Sequence, residues 1–245
     1  MNWRTAALLA LVALPGVVAT ALVAIPLLVD VSTIPGELET LQLASALQGV
    51  FLVLVAAFLG AAAAPRVGVS APAISAIASG SGARALEALR LQVLPGLAGG
   101  CIGAVLILGF HALAPESLRA VQPEAPLPLA VRVLYGGITE EVIIRWGLMT
   151  VIAWAGWRIL QRHRPRPTPT VMWAAILASA LVFGLSHLPA VMQSLPALPA
   201  AVLAYVTVGN SLFGVLAGYL FWRHGLEAAV AAHALAHVFA FIVRG

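Results

Sequence analysis

Glu140-Glu141-Val-Ile-Ile-Arg145 lies inside the run 128–157, which is otherwise apolar enough to cross a bilayer. Ionisable side chains at that depth cost a few kcal/mol each and survive mainly where they face a bundle interior. The hexad therefore settles two matters together. Its surroundings make the chain a membrane protein, and its charges mark the first place to look for chemistry.

Working outward, the whole chain has the same character. Of its 245 residues 62% are hydrophobic and 9% charged, and the mean hydropathy is +1.02; a water-soluble domain carries about 25% charged residues. Runs long enough to span the hydrocarbon fall at 6–29, 41–64, 93–114, 128–157, 170–188, 197–221 and 226–243. The expected fold is an all-α polytopic membrane bundle of seven transmembrane helices, forming a single integral membrane domain over residues 1–245. The fourth run exceeds a perpendicular crossing and should tilt or protrude. Pro15, Pro26 and Pro95 are expected to kink their helices rather than end them. Between the second and third runs, Ser79-Gly80-Ser81-Gly82 precedes a stretch, 83–94, whose Arg84, Glu87 and Arg90 suit a short interfacial helix.

The thirteen basic residues are all arginine, and the formal charge of +4 resides in loops. Arg4, the Arg66–Arg90 group, Arg158 to Arg166, and Arg223 fall on one side of the membrane. Asp30, Glu37, Glu39, Glu116, Arg119 and Glu124 fall on the other. By the positive-inside rule the N-terminus is cytoplasmic and the C-terminus outside. No basic patch with interleaved aromatics exists, so the high pI reports orientation and not nucleic-acid binding. The lone Cys101 excludes an internal disulfide and a cysteine metal cluster.

Three polar clusters sit at helical i, i+4 spacing. Glu141 and Arg145 share a face and can pair, while Glu140 is rotated by about 100° and is left to face something else. A carboxylate without a partner, lining a wet cavity, is a candidate general base; an ion pair that merely ties two helices is the plain alternative. Phe183-Gly-Leu-Ser-His187 places an aromatic one turn before a histidine, and a lone histidine near a span end is more often a hydrogen-bonded packing residue. His233-Ala-Leu-Ala-His237 presents two imidazoles on one face, a spacing that suits paired donors or metal ligands.

In this order, Glu-Glu-x-x-x-Arg, Phe-x-x-x-His and His-x-x-x-polar on successive spans resemble the CPBP family. These are the CAAX-processing and bacteriocin-processing intramembrane proteases, also called the abortive-infection family. The resemblance covers the C-terminal half, about 128–243, and includes the glycine-rich stretch from Gly209 to Gly218. It implies an intramembrane endopeptidase acting on a peptide or membrane-protein substrate in the bilayer. Glu140 would activate water, His187 would help hold it, and His233 with the residue one turn later would stabilise the oxyanion. Glu141 and Arg145 would order the first glutamate. The family usually has Asn or Asp where this chain has His237. That change adds a ligand, so Glu140, His187, His233 and His237 form an oxygen-and-nitrogen set suited to zinc; a metal-independent Glu/His mechanism stays equally open. The Arg- and Ala-rich composition with short loops points to a bacterial cytoplasmic membrane.

Two other functions stand beside this one. A non-proteolytic scaffold or immunity protein could bind a peptide or partner with the same residues, and a proton-coupled transporter could use them as a relay; no matched broken helices support transport. A further strain is geometric. Measured from the cytoplasmic span ends at about 1.5 Å per residue, Glu140 and His187 lie roughly 25 Å deep but His233 only about 10–15 Å. A single site requires a tilt, a re-entrant start to the last helix or span ends placed differently from these.

Overall fold

The structure is a computed structural model and describes residues 2–28, 36–121 and 127–244. The expected outer-loop charges Asp30 and Glu124 lie outside the described residues. Among those described there is helix and turn but no strand, and seven helices are long and apolar enough to cross a membrane. They are Trp3–Leu28, Glu37–Val67, Gly82–Ala112, Leu129–Leu160, Pro169–Ser194, Ala200–His224 and Leu226–Arg244, the first to seventh spans. The chain is an integral membrane protein.

Local chemistry explains where these helices start and bend. The Asn2 side chain accepts a hydrogen bond from the Thr5 amide, capping the first span. That span runs through Pro15 and then loosens into a π-helical turn over Thr20–Ala24, the adjustment expected of a membrane proline. Gly68, at φ +79°, closes the second span in the left-handed conformation that favours glycine.

Two details differ from the sequence reading. Residues 83–94 are helical but not a separate interfacial helix: the helix runs unbroken from Gly82 to Ala112 with Pro95 inside it. Pro95 falls far enough into an apolar helix for flanking turns to carry it. The short separate helix is Pro72–Ala78, opened by its own proline at the first position. The fifth span is also divided, into Pro169–Leu185 and Leu188–Ser194, with His187 at the turn between them.

The core is built on small residues that allow close approach. A Cβ on Gly96, Gly99, Gly100 or Gly103 of the third span would come within 2.8 Å of a side chain of the seventh. On the other flank of the seventh span, a Cβ on Gly137 would meet the backbone of Ala234 at 3.0 Å. The last helix is thus gripped between the third and fourth spans. The fifth and sixth spans meet as the small-residue pattern suggests. Gly214 abuts Ala180, Gly218 abuts Ile176, and the Ser211 hydroxyl donates to the Ala180 carbonyl at 3.0 Å. Asn210, by contrast, turns its amide back to Val206 of its own helix.

The seventh span begins inside the molecule. The Leu226 amide donates to the Ser70 carbonyl, Glu227 Oε1 accepts from the Ile74 amide at 2.9 Å, and the Ala228 amide donates to buried Gln92. Leu226, Ala228 and Ala229 are buried. The fourth span, in contrast, continues past Glu141 to Leu160, about 28 Å at the α-helical rise. The last helix thus starts packed against Pro72–Ala78 and the third span.

Candidate active site

The fourth span carries the hexad in an unusual helix. Over Arg132–Met149 its backbone is π-helical, a form that is rare and concentrated at functional sites. The hydroxyls of Thr139 and Thr150 follow the same five-residue step, donating to the carbonyls of Leu134 and Arg145. Thr139 also donates to the Ala13 carbonyl at 2.6 Å, tying this helix to the first span. Trp146 inserts toward the second, its indole N–H bonded to the Ala57 carbonyl at 3.1 Å where Gly60 leaves room. The π stretch is therefore pinned on two sides.

Glu141 is fully buried and joins two other buried residues. Its Oε1 lies 3.2 Å from Arg145 Nη1 and 2.8 Å from His233 Nδ1. Because a carboxylate only accepts, Nδ1 of His233 carries the proton and Nε2 is left facing the interior. Arg145 also donates to the Gly214 carbonyl at 3.4 Å and lies 4.5 Å above the Phe183 ring. The expected pair between Glu141 and Arg145 is present, but Glu141 also orients His233, a partner the spacing within one helix could not show.

Phe183 organises the histidines. Its ring packs edge-on against His187 at 4.8 Å and against His233 at 6.1 Å, while Phe213 covers the other side of His233 at 4.4 Å. His187 Nδ1 is 2.8 Å from the Phe183 carbonyl, which can only accept, so this ring too leaves Nε2 open. His237 stacks on His233 at 5.1 Å. Gly136 makes that stack possible: a Cβ there would sit 3.0 Å from His237 Nε2 and 3.5 Å from His233 Nε2. Phe213, Gly136 and the Gly214 carbonyl are parts of the site that single-helix spacing does not reveal.

Glu140 stands apart. It is half-buried and makes no ion pair or side-chain hydrogen bond among the described residues, one position from the buried Glu141. Among the described residues no group of three or more His, Cys, Asp or Glu side chains is gathered closely enough to hold a metal ion as it stands, while the engaged Nδ1 of His187 and of His233 leaves Nε2 of each ring open, the nitrogen a metal would use.

Comparison with known proteins agrees with the motif reading. Residues 122–239 match the family model described as type II CAAX prenyl endopeptidase Rce1-like, so this half of the chain carries an Rce1-like domain. No curated protein and no solved structure matched. The match supports a protease, and the Glu140–Arg145, Phe183–His187 and His233–His237 clusters all fall inside it.

Proposed function

We propose, from the premise of an Rce1-like domain over residues 122–239, that the chain is a Glu/His endopeptidase. It would hydrolyse a peptide bond of a peptide or membrane-protein segment within its helical bundle. The observation that carries this reading is the contrast between adjacent glutamates. Glu141 is consumed in holding His233 and Arg145, while Glu140 is half-buried and makes no ion pair or side-chain hydrogen bond among the described residues.

In this reading Glu140 takes a proton from a water that the open Nε2 of His187 helps to hold. The resulting hydroxide adds to the scissile carbonyl carbon. His233, in the form bearing its second proton on Nε2, donates to the developing oxyanion, and the Glu141 carboxylate supports that form as an orienting acid supports a catalytic imidazole. His237 supplies a second donor from its place on the same stack. Collapse of the tetrahedral adduct breaks the C–N bond, and Glu140 returns its proton to the leaving amine. Preorganised donors in a site with little water are worth far more than in bulk solvent. No step is routed through a metal.

The arginine distribution supports a cytoplasmic N-terminus, and the composition supports a bacterial cytoplasmic membrane as the location. The test is cleavage of a quenched-fluorescence peptide library by purified wild type and Glu140→Gln, with and without a chelator. Cleavage lost in the variant and indifferent to chelator is expected. Equal turnover by a folded Glu140→Gln protein would overturn the assignment, and Glu140-dependent turnover abolished by chelator would overturn its metal-free form.

A further inference from the structure

The helix of the third span is longer than a bilayer requires. Its 31 residues from Gly82 to Ala112 measure about 46 Å against roughly 30 Å of hydrocarbon, so its first turns project into the headgroup layer on the arginine-bearing side. There it stands against the short helix Pro72–Ala78, and the two enclose an open cleft of about 430 Å³, a volume within the roughly 300–1,000 Å³ of ligand sites. The polar lining is Ser75, Ser79, Arg84 and Glu87, and Pro72 and Leu91 are part of the apolar lining. Arg84 and Glu87 are three residues apart on one helix, a spacing that permits a pair, yet neither enters an ion pair among the described residues. The guanidinium instead reaches the Ser79 hydroxyl at 3.5 Å, the outer limit of a hydrogen bond. The rest of its fork is unused. Arg84, Glu87, Leu91 and Leu94 follow one stripe of the helix, and both leucines are 74% exposed.

We propose that this cleft binds the headgroup of an aminophospholipid, one that carries a phosphate and a primary ammonium on a two-carbon link. The phosphate takes the guanidinium of Arg84 and the hydroxyls of Ser75 and Ser79, and the ammonium takes the Glu87 carboxylate. The acyl chains lie along Leu91 and Leu94, toward the hydrocarbon. Arg84 and Glu87 are about 4.5 Å apart along the helix axis, a step that one ethanolamine unit covers. The paired charges also sort among lipids. An anionic headgroup without an ammonium would satisfy Arg84 but set its phosphate beside an uncompensated Glu87. A choline headgroup brings positive charge but no N–H for the carboxylate to accept. One wall of the cleft is the helix whose Ile74 amide donates to Glu227 at 2.9 Å. An occupant therefore braces Pro72–Ala78 and, through it, the start of the helix that carries His233.

The experiment measures binding to the full chain in neutral detergent, by native mass spectrometry and by the thermal midpoint. The probes are phosphatidylethanolamine, phosphatidylcholine and phosphatidylglycerol of one short chain length, and free phosphoethanolamine. The ethanolamine lipid should bind about tenfold tighter than either of the other lipids and raise the midpoint. Arg84→Gln and Glu87→Gln should each remove that preference without lowering the midpoint of the unliganded protein, since both side chains are exposed and outside any ion pair. Arg90→Gln, on the same helix but outside the cleft lining, should keep the preference and so controls for lost surface charge. Equal binding of the three lipids, or a preference that survives Arg84→Gln or Glu87→Gln, overturns the proposal. So does tightest binding of phosphatidylglycerol, weakened by Arg84→Gln and strengthened by Glu87→Gln, which would make the face a general anion-attracting surface. Free phosphoethanolamine that binds as tightly as the lipid would assign the cleft to a soluble ligand and overturn the lipid assignment.

Discussion

Adjacent glutamates on this helix should fail in different ways when altered. Glu140→Gln removes the proposed base but no ion pair or side-chain hydrogen bond among the described residues, so the thermal midpoint should hold while kcat falls by about 10²- to 10⁴-fold. Glu141→Gln leaves His233 without its carboxylate and Arg145 without its counter-charge. It should lower both kcat and the thermal midpoint. Arg145→Ala is the extreme case, because both partners are essentially inaccessible, at 1% and 0% exposure. Stranding Glu141 should cost about 3–5 kcal/mol, read as a lower midpoint in a thermal-shift assay or as loss of folded protein in size exclusion. The sequence made the hexad and both histidine pairs legible because intramembrane charge is costly enough to be conspicuous. It did not show that Glu141 belongs to His233, since that bond joins residues 92 positions apart.

At the scale of the element, the fourth span shows why helical spacing was only a partial guide. Its π-helical stretch changes which side chains stack, so faces drawn at 3.6 residues per turn drift from the real ones. Nothing in the residue pattern announces that winding; Gly136 and Gly137 show their purpose only once the seventh span lies against them. Paired substitutions should separate the two. Gly137→Ala drives a methyl toward the backbone of Ala234 and should cost about 1–3 kcal/mol by overpacking, seen as a lower thermal midpoint. Gly136→Ala meets the edge of a ring that can shift by a few tenths of an ångström. It should lower kcat more than stability, by displacing His237 from its stack on His233. Equal stability losses and equal rate losses for both would contradict this division.

For the whole molecule, seven spans could be read from apolar run length alone, with ends displaced by a few residues except at the third, which begins eleven residues earlier than expected. The packing around the start of the last helix was not legible, because it depends on Ser70, Ile74 and Gln92 meeting residues 226–228 across the fold. Orientation can be tested directly. On a Cys101→Ser background, a cysteine placed at His163 should react with an impermeant thiol reagent from the cytoplasmic face, and one at Leu118 only from the opposite face. The reverse pattern would invert the bundle without disturbing the site.

The two stacked imidazoles also keep different clocks. His233 is 5% exposed and its Nδ1 proton is pinned at 2.8 Å to Glu141 behind Phe183 and Phe213, whereas His237 is half-buried on the same helix. After transfer into deuterated buffer, the proton on His233 can be replaced only when the fourth and seventh spans part, on the slow scale of local opening. A histidine ring proton that outlasts its neighbour by orders of magnitude would time the breathing of the bundle at the proposed active site.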